Sequence, residues 1–446
     1  MSFKAKIEPI TRVEGHGAVD IEIEDKKVKE VRMSFVESPR FFEALLVGVR
    51  GEEVPRIAER ICGICYISHG LVSAKAIEAA WGTVLPEKAE KIRRVLHLGG
   101  ILSSHLLHLA YLATSDYLRS EKRFPQLSAS SPQLFKMLID LYNYSNNLTE
   151  TIGGRRVHVP AIVPGGMSRA LSKEQIERLE NETSTMVSNA SSVVAKLLEV
   201  FEGGYESFPI TPAFGIALTN DGHHEFYEGD VAVLDQRAEM KYSFGAGKYM
   251  ENIAEKSVDH SYVKYPFLKR EGFPQGIYRT GCLPRMEAAK EVGGERAGEL
   301  FKEHHRLFKP GRSLVAYNSA RAIEVVSLVE QIQELLGEEI QGDARVEAKP
   351  KKGLGVGLIE APRGILIHHY ETDGNGIMTR ANIITPTTQN APAMERSIQA
   401  YVEARIDEFT SAEGGDMAVR EVEKLIRCYD PCISCSVHIA RMESKK

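Results

Sequence analysis

Apolar and polar residues alternate near the start of the chain, and this alternation predicts a β-hairpin. Apolar side chains occupy every second position over 19–23 and again over 31–35, on either side of the charged segment 24–27. Successive side chains of a strand point to opposite faces, so each run would bury one face. We therefore predict a hairpin over residues 17–36.

Most later segments have the period of a helix instead. Apolar residues recur every three or four positions in eight segments, and Ser172 with Gln175 fits a capping box. These predicted helices cover 71–81, 86–109, 134–148, 172–201, 294–306, 319–336, 393–409 and 417–426. A shorter helix is predicted over 40–46, and Asp373-Gly374-Asn375-Gly376 predicts the turn of a second hairpin.

The pattern favours an α+β fold, mostly α, built as a single large unit over residues 1–446. Its parts would be the hairpin 17–36, a helical core over 70–202, an irregular α/β region over 203–290, and C-terminal helices with a hairpin over 291–446. Residues 203–290 are rich in Gly, Pro and aromatic residues and have little periodicity. This region is therefore expected to hold short strands.

Composition excludes several classes of function. The chain has 56 Lys and Arg against 61 Asp and Glu, which gives a net charge of -5. A nucleic-acid binder needs a positive field, so no nucleic-acid partner is expected. The sequence has no uncharged apolar run of about 18 residues, and it does not open on a signal peptide. The chain is therefore not expected to be embedded in a membrane.

The cysteines point to a metal. Cys62 and Cys65 form one C-x-x-C motif, and Cys432 and Cys435 form another near the opposite end of the chain. Zinc ribbons have their pairs about 15–20 residues apart, whereas these pairs can meet only when the whole chain folds. That favours a catalytic metal. Zinc, iron–sulfur, copper(I) and nickel all suit four thiolates, and a zinc staple or unligated cysteines are the alternatives.

The two motifs resemble the signatures of a known enzyme family. RICGICYISH (60–69) and DPCISCSVH (430–438) are similar to the two cysteine motifs of the large, catalytic subunit of nickel–iron hydrogenases. Other family motifs are matched in the right order by EPITRVEGH (8–16), SPRFFE (38–43), GVGLIEAPRG (355–364) and NIITPTTQN (382–390). GIYRTGCLPR (276–285) and HHYETDGNG (368–376) resemble the cytoplasmic, multi-subunit branch, which includes methyl-viologen-reducing hydrogenases and archaeal sulfhydrogenases.

The resemblance implies a multi-helical hydrogenase large-subunit core and the reversible oxidation of dihydrogen. It implies that Cys62, Cys65, Cys432 and Cys435 bind nickel. Cys65 and Cys435 would also bridge to an iron that carries cyanide and carbon monoxide. Cys62 and Cys432 would be terminal ligands.

The resemblance also implies catalytic roles for residues outside the four-sulfur set. Cys432 would act as the base, Glu14 would carry the proton away, and Arg363 would donate to a cyanide or polarise dihydrogen. Taken singly, Glu14 is more typical of a surface carboxylate and Arg363 of one half of a salt bridge.

Three further residues are expected around the centre. Thr387 would donate to the other cyanide, His69 would hydrogen-bond a sulfur, and Asp430 would orient Arg363 or lie near the metals. Their alternatives are an ordinary strand threonine, a packed core histidine and a turn cap.

A second metal is implied beside the carboxyl end. Glu43, the backbone carbonyl of Ile383 and His438 match the family's magnesium or iron site. Oxygen ligands suit magnesium, but the imidazole is unusual for it, so both metals stay open. Glu43 belongs to an Arg-x-Phe-Glu motif in which Phe41 stands where the family usually has Gly.

The implied partners follow from the cysteine count. With four of six cysteines at nickel, the chain needs a small subunit that carries iron–sulfur clusters, and further electron-transfer subunits are expected. The branch resemblance places the complex in the cytoplasm. The family is cleaved after the residue matching His438, so Ile439–Lys446 is either removed by a maturation protease or retained. The rival functions are a non-catalytic homologous subunit of an electron-transfer complex and a zinc-stapled structural protein.

Overall fold

The fold is known from a computed structural model that describes residues 2–35, 41–118, 127–309, 313–411 and 415–436. The strands, β1 to β15, are Ser2–Ile7, Gly17–Glu24, Lys27–Phe35, Ile162–Val163, Gly166–Met167, Phe214–Asn220, His223–His224, Asp230–Leu234, Met240–Phe244, Ile253–Lys256, Tyr265–Leu268, Tyr278–Arg279, Gly353–Ala361, Gly364–Thr372 and Met378–Ile384. The helices, α1 to α15, are Phe42–Leu46, Val54–Ala58, Tyr66–Trp81, Glu87–Leu107, Leu127–Ser130, Pro132–Gly153, Lys173–Glu202, Tyr249–Asn252, Cys282–Ala288, Glu295–His304, Ala316–Gly337, Pro386–Ala404, Ile406–Thr410, Gly415–Tyr429 and Ile433–Ser436.

The N-terminal sheet has the order β1-β2-β3 and is antiparallel throughout. β2 and β3 form the predicted hairpin, with Val19 opposite Met33. The apolar side chains of this face are buried, while the turn between the strands is exposed. β1 lies outside the predicted hairpin and pairs with β2 along its other edge.

Long helices form the main core. α4, α6, α7 and α11 pack on one another, and most residues of α11 are buried. The helical run Glu87–Tyr117 is long and apolar enough to cross a membrane by length and composition alone. Its most apolar window is, however, 72% buried inside the protein, as expected for the central helix of a helical core.

A three-stranded antiparallel sheet, β13-β14-β15, lies directly against α3. Gly353, Gly355 and Gly357 of β13 face the helix, and a Cβ atom at any of them would overlap a backbone carbonyl of α3. The absence of side chains therefore lets the strand and the helix touch backbone to backbone. The same glycines weaken the apolar alternation, and β13 is absent from the sequence-based prediction.

Gly357→Ala should destabilise this contact. The added methyl group would overlap the carbonyl oxygen of Val72, so α3 or β13 has to shift. We expect a loss of about 1–3 kcal/mol in the free energy of unfolding, measured by denaturant titration. Gly374→Ala is the control, because its Cβ would have no neighbour within 4 Å. Equal stability of the two variants would contradict the close-contact explanation.

The C-terminal helices differ from the predicted ones in two places. The helix predicted from 393 begins at Pro386, which suits the first turn of a helix, and Pro392 lies within it. Thr387 is therefore helical, so the alternative of an ordinary strand threonine is wrong. The first turns of α12 are buried on nearly all sides, including their polar residues, so they show no helical period. The helix also ends at Ala404, and the separate α13 follows.

Candidate metal centre

Each C-x-x-C motif leads into the first turn of a helix, which brings its two sulfur atoms close together. Cys62 is extended and follows a short 3-10 turn, and Cys65 is the N-cap of α3. Cys432 lies in the short connection after α14, and Cys435 lies in α15. The Sγ atom of Cys62 accepts the backbone N–H groups of Ile64 at 3.2 Å and Cys65 at 3.4 Å.

The four sulfur atoms form one buried cluster. All lie within 4.8 Å of one another, although the two motifs are 370 residues apart in sequence. The Sγ atoms of Cys62 and Cys432 are 3.6 Å apart, and those of Cys65 and Cys435 are 3.3 Å apart. Cys432 and Cys435 also lie next to each other, so the sulfurs of both motifs face one point.

The cluster suits a soft transition metal. Its four sulfur donors are all nearly inaccessible to solvent, which removes competition from water. The hydrogen bond between Cys62 and Cys65 lowers the pKa of the Cys62 thiol and raises the pKa of the Cys65 thiol. Of the two, Cys62 therefore loses its proton more readily. The donor chemistry therefore fits nickel and iron as the sequence motifs imply.

Glu14 reaches the cluster from the other end of the chain. Its backbone carbonyl accepts the N–H of Ile433 at 2.9 Å, which ties the N-terminal loop to the residue after Cys432. Oε2 lies 3.1 Å from the Sγ of Cys432 and accepts the N–H of Ser434 at 3.1 Å. The hydroxyl of Ser434 donates to Oε1. Ser434 is absent from the sequence-based set, although its position inside the second C-x-x-C motif was a usable signal.

Arg363 and Asp430 form a buried pair beside the sulfurs. The Nε of Arg363 donates to the Asp430 carbonyl at 2.6 Å, and Nη2 donates to Oδ1 at 3.1 Å. Burial opposes ionisation of both groups, but each holds the other charged. The pKa of Asp430 is consequently well below its usual range, with Arg363 the main favourable charge and His108 the next. The pKa of Arg363 is raised, chiefly by Asp430 and then by Cys65 and Cys62.

The sequence pattern of the nickel-dependent hydrogenase family matches residues 40–130 and 215–438, and a HoxL-like pattern matches residues 4–38. The chain belongs to the nickel-dependent hydrogenase family. The family reaction is the reversible oxidation of dihydrogen, with the electrons passing to a small subunit. The chain is thus a hydrogenase large subunit, which implies a nickel–iron centre and a small-subunit partner.

Individual relatives cover almost the whole hydrogenase chain. In Methanococcus voltae, the matching chain of the vhu F420-non-reducing hydrogenase is 38% identical over 90% of this chain and 98% of its own. The alpha chain of sulfhydrogenase 2 from Pyrococcus furiosus is 33% identical over 98% of this chain and 99% of its own length. A solved structure, that of an NAD+-reducing [NiFe]-hydrogenase in the H2-reduced state, is also similar. Its sequence is 32% identical, the match covers 98% of this chain and 99% of that chain, and the TM-score is 0.89. The α+β fold predicted from the sequence is therefore confirmed.

Two more predicted residues of this hydrogenase lie near the cysteines. Thr387, in the first turn of α12, accepts the backbone N–H of Cys432 at 2.9 Å through Oγ1. His69, one turn into α3, has its Nδ1 atom 3.1 Å from the Nε2 of His368. His368 in turn contacts the hydroxyl of Tyr370 at 2.6 Å. His368 is buried as well.

Glu43 and Ile383 of the predicted second metal site also lie together. The Oε1 of Glu43 accepts the backbone N–H of Ile383 at 2.8 Å, and burial raises the pKa of Glu43 to about 7. The carboxylate borders a cavity of about 600 Å³. His438, the third predicted ligand, lies outside the described residues, as do Arg40 and Ile439–Lys446.

The backbone explains why glycine is usual where this hydrogenase has Phe41. This residue has φ 54 and precedes α1. The left-handed region favours glycine, which has no Cβ to clash there. Phe41 therefore adopts a backbone conformation that is less favourable for it than for glycine. Its side chain is 52% exposed.

Proposed function

We propose that Cys62 and Cys432 are terminal nickel ligands and that Cys65 and Cys435 bridge nickel to an iron carrying cyanide and carbon monoxide. The supporting observation is that all four sulfur atoms, two from each motif, lie within 4.8 Å of one another. The first cysteines of the two motifs lie 3.6 Å apart and the second cysteines lie 3.3 Å apart. All four can therefore bind one nickel, and the family pattern supplies which two of them would bridge to iron.

Heterolytic cleavage of dihydrogen is the chemistry that the nickel–iron centre supplies when bound. The proton then needs a base and a route away from a site that excludes water. In this proposal the Cys432 thiolate takes the proton and Glu14 receives it across 3.1 Å. The N–H and hydroxyl of Ser434 keep the Glu14 carboxylate turned toward the sulfur.

Arg363 is proposed to direct its remaining donors toward the metals. Asp430 accepts hydrogen bonds from Nε and Nη2, and these fix the plane of the guanidinium. The third nitrogen, Nη1, lies 3.5 Å from the hydroxyl oxygen of Ser104. A guanidinium held in this way can donate to cyanide or polarise dihydrogen. Thr387 and His69 are proposed to hydrogen-bond the other cyanide and a sulfur.

Glu43, the carbonyl of Ile383 and His438 are proposed to bind magnesium or iron. Burial disfavours the ionised form of Glu43, and a bound cation would favour it. Glu43→Gln removes the negative oxygen but keeps an acceptor for Ile383. The variant should lose the second metal in elemental analysis while nickel stays. Retention of magnesium and of the full iron content would contradict this assignment.

The proposed partner is a small subunit carrying iron–sulfur clusters, with further electron-transfer subunits and, in maturation, a protease. Cys282 and Cys428, the cysteines outside the four-sulfur cluster, are buried at separate positions and offer no second thiolate set. Electrons therefore have to leave through another chain. We place the complex in the cytoplasm, and cell fractionation that recovers it among exported proteins would contradict this.

One measurement tests the centre itself. The native complex should contain equimolar nickel and iron at the four cysteines, allowing for the small subunit's clusters. Its infrared spectrum should show bands of metal-bound cyanide and carbon monoxide, which no protein group shares. Zinc without such bands would favour the zinc-stapled alternative. The absence of any metal at the cysteines would favour the non-catalytic homologous subunit.

A further inference from the structure

A second buried cluster lies apart from the four metal-binding cysteines. The ligand atoms of His105, Cys282 and Glu324 lie within 4.8 Å of one another, and all three residues are buried. Such a set resembles a metal site by composition. The fourth member of the cluster, Arg285, decides against that interpretation.

Arg285 already neutralises the carboxylate of Glu324. Its Nε and Nη2 atoms donate to the two carboxylate oxygens, each at 2.7 Å. This paired geometry is the strongest that a guanidinium and a carboxylate can form. The Nε2 of His105 also lies 2.8 Å from Oε2. A metal ion placed here would have to displace a buried cation, and the positive charges would repel at short range.

The remaining donors of Arg285 reach the chain just before Arg363. Nη1 donates to the carboxylate of Glu360 at 2.7 Å and to the carbonyl of Ala361 at 3.3 Å. Nη2 donates to the carbonyl of Pro362 at 3.4 Å. One guanidinium therefore contacts three consecutive residues, and Arg363 is the next.

These residues end β13 and begin its turn into β14, and the segment just before α9 contacts the same turn. β13 ends at Ala361 and β14 begins at Gly364, so Arg363 lies in a two-residue loop. A Cβ at Gly281 would lie 2.8 Å from the carbonyl oxygen of Arg363, so the backbones are in close contact. The hydroxyl of Thr280 accepts the N–H of Ile365 at 3.0 Å.

We propose that Arg285 is a positioning residue for Arg363, holding the β13–β14 turn so that the Arg363 guanidinium faces the metal centre. The proposal rests on the proposed role of Arg363. Arg285 does not reach the metals itself. It acts by fixing three acceptors in the segment that carries Arg363, and it is anchored to α11 through Glu324.

Arg285→Lys tests the proposal because lysine keeps the charge but cannot reach these acceptors at once. Turnover of dihydrogen with a dye should fall about 100-fold, the cost of misplacing a reacting-site group by about 1 Å. Nickel and iron content should stay normal. The cyanide bands in the infrared spectrum should shift, since Arg363 is proposed to donate to cyanide.

Arg93→Lys is the matched control. Arg93 is equally buried and also forms a paired contact with a carboxylate, donating from Nη1 and Nη2 to Glu78 at 2.9 and 2.6 Å, and it binds the carbonyl of Val163. It supports a different turn. Arg93→Lys should destabilise the protein to a similar extent but leave the cyanide bands and turnover near parental values. Equal effects of the two variants would show that Arg285 only stabilises the core.

Combining substitutions separates this proposal from the one for Arg363. In an Arg363→Lys background, Arg285→Lys should cause little additional loss of turnover, because both changes act on the same group. A full further 100-fold loss would overturn the positioning role. If Arg363→Lys alone has parental turnover, the function proposed for Arg363 is wrong. The crystal structure of Arg285→Lys then decides whether Arg363 has left Asp430, and an unmoved Arg363 would overturn the present proposal.

Glu360→Gln provides a milder variant if Arg285→Lys does not fold. The carboxylate of Glu360 also accepts the N–H of Leu218 at 2.9 Å, and glutamine keeps an oxygen for it. Only the charged contact with Arg285 is lost. The cyanide bands should shift in the same direction as in Arg285→Lys, by less, and parental bands would count against the proposal.

Discussion

Cys65→Ser should abolish both the metal centre and hydrogenase activity. The Sγ of Cys65 lies 3.3 Å from that of Cys435, and together they are the proposed bridge between nickel and iron. A serine hydroxyl is a hard, weakly acidic donor and is a poor ligand for soft metals. We expect nickel and iron to fall together in elemental analysis and dihydrogen-dependent dye reduction to be lost.

Cys428→Ser is the control for that substitution. Cys428 is also fully buried, but its Sγ contacts the hydroxyl of Tyr117 at 3.3 Å and lies outside the four-sulfur cluster. Serine keeps a group able to make this hydrogen bond, so metal content should be normal. Full metal content and normal turnover in Cys65→Ser would refute the bridging assignment.

Glu14→Gln should lower dihydrogen oxidation about 100- to 10,000-fold, the usual cost of removing a positioned acid–base group. Glutamine keeps the size and an acceptor for Ser434, but it cannot take a proton from Cys432 and release it near neutral pH. Metal content and the infrared spectrum should stay parental. Exchange of deuterium with water should collapse, whereas para-to-ortho conversion of dihydrogen should survive.

A second glutamate of the same region provides the control. Glu423 accepts the N–H and the hydroxyl of Thr11, at 2.7 and 2.8 Å, and so supports the N-terminal loop without touching a sulfur. Glu423→Gln should keep the exchange rate. If Glu14→Gln also exchanges with water at the parental rate, Glu14 is not the proton relay, and His69 or Asp430 become the groups to test.

Short motifs were enough to predict from the sequence which residues form the candidate centre. The cysteine pairs, the Asp-Pro before the second pair and the Ala-Pro-Arg-Gly turn are each recognisable without knowledge of the rest of the fold. The groups that hold the centre in place were harder to predict. Arg285 binds Glu324 and Glu360, which are 39 and 75 residues away in the sequence. A buried ion pair between such distant residues leaves no local sequence motif. Likewise, β13 was not predicted because the glycines that let α3 approach also weaken the strand pattern.

The 370-residue separation of the two cysteine pairs also has a consequence for the order of synthesis. At about 5–20 residues per second, roughly 20–70 s pass between the translation of the first pair and that of the second. During that interval Cys62 and Cys65 are an exposed dithiol without their partners, open to zinc and to oxidation. Nickel supplied early would meet only half of the proposed ligands. With that ligand set, correct loading depends on metal delivery that begins after the second cysteine pair has been made.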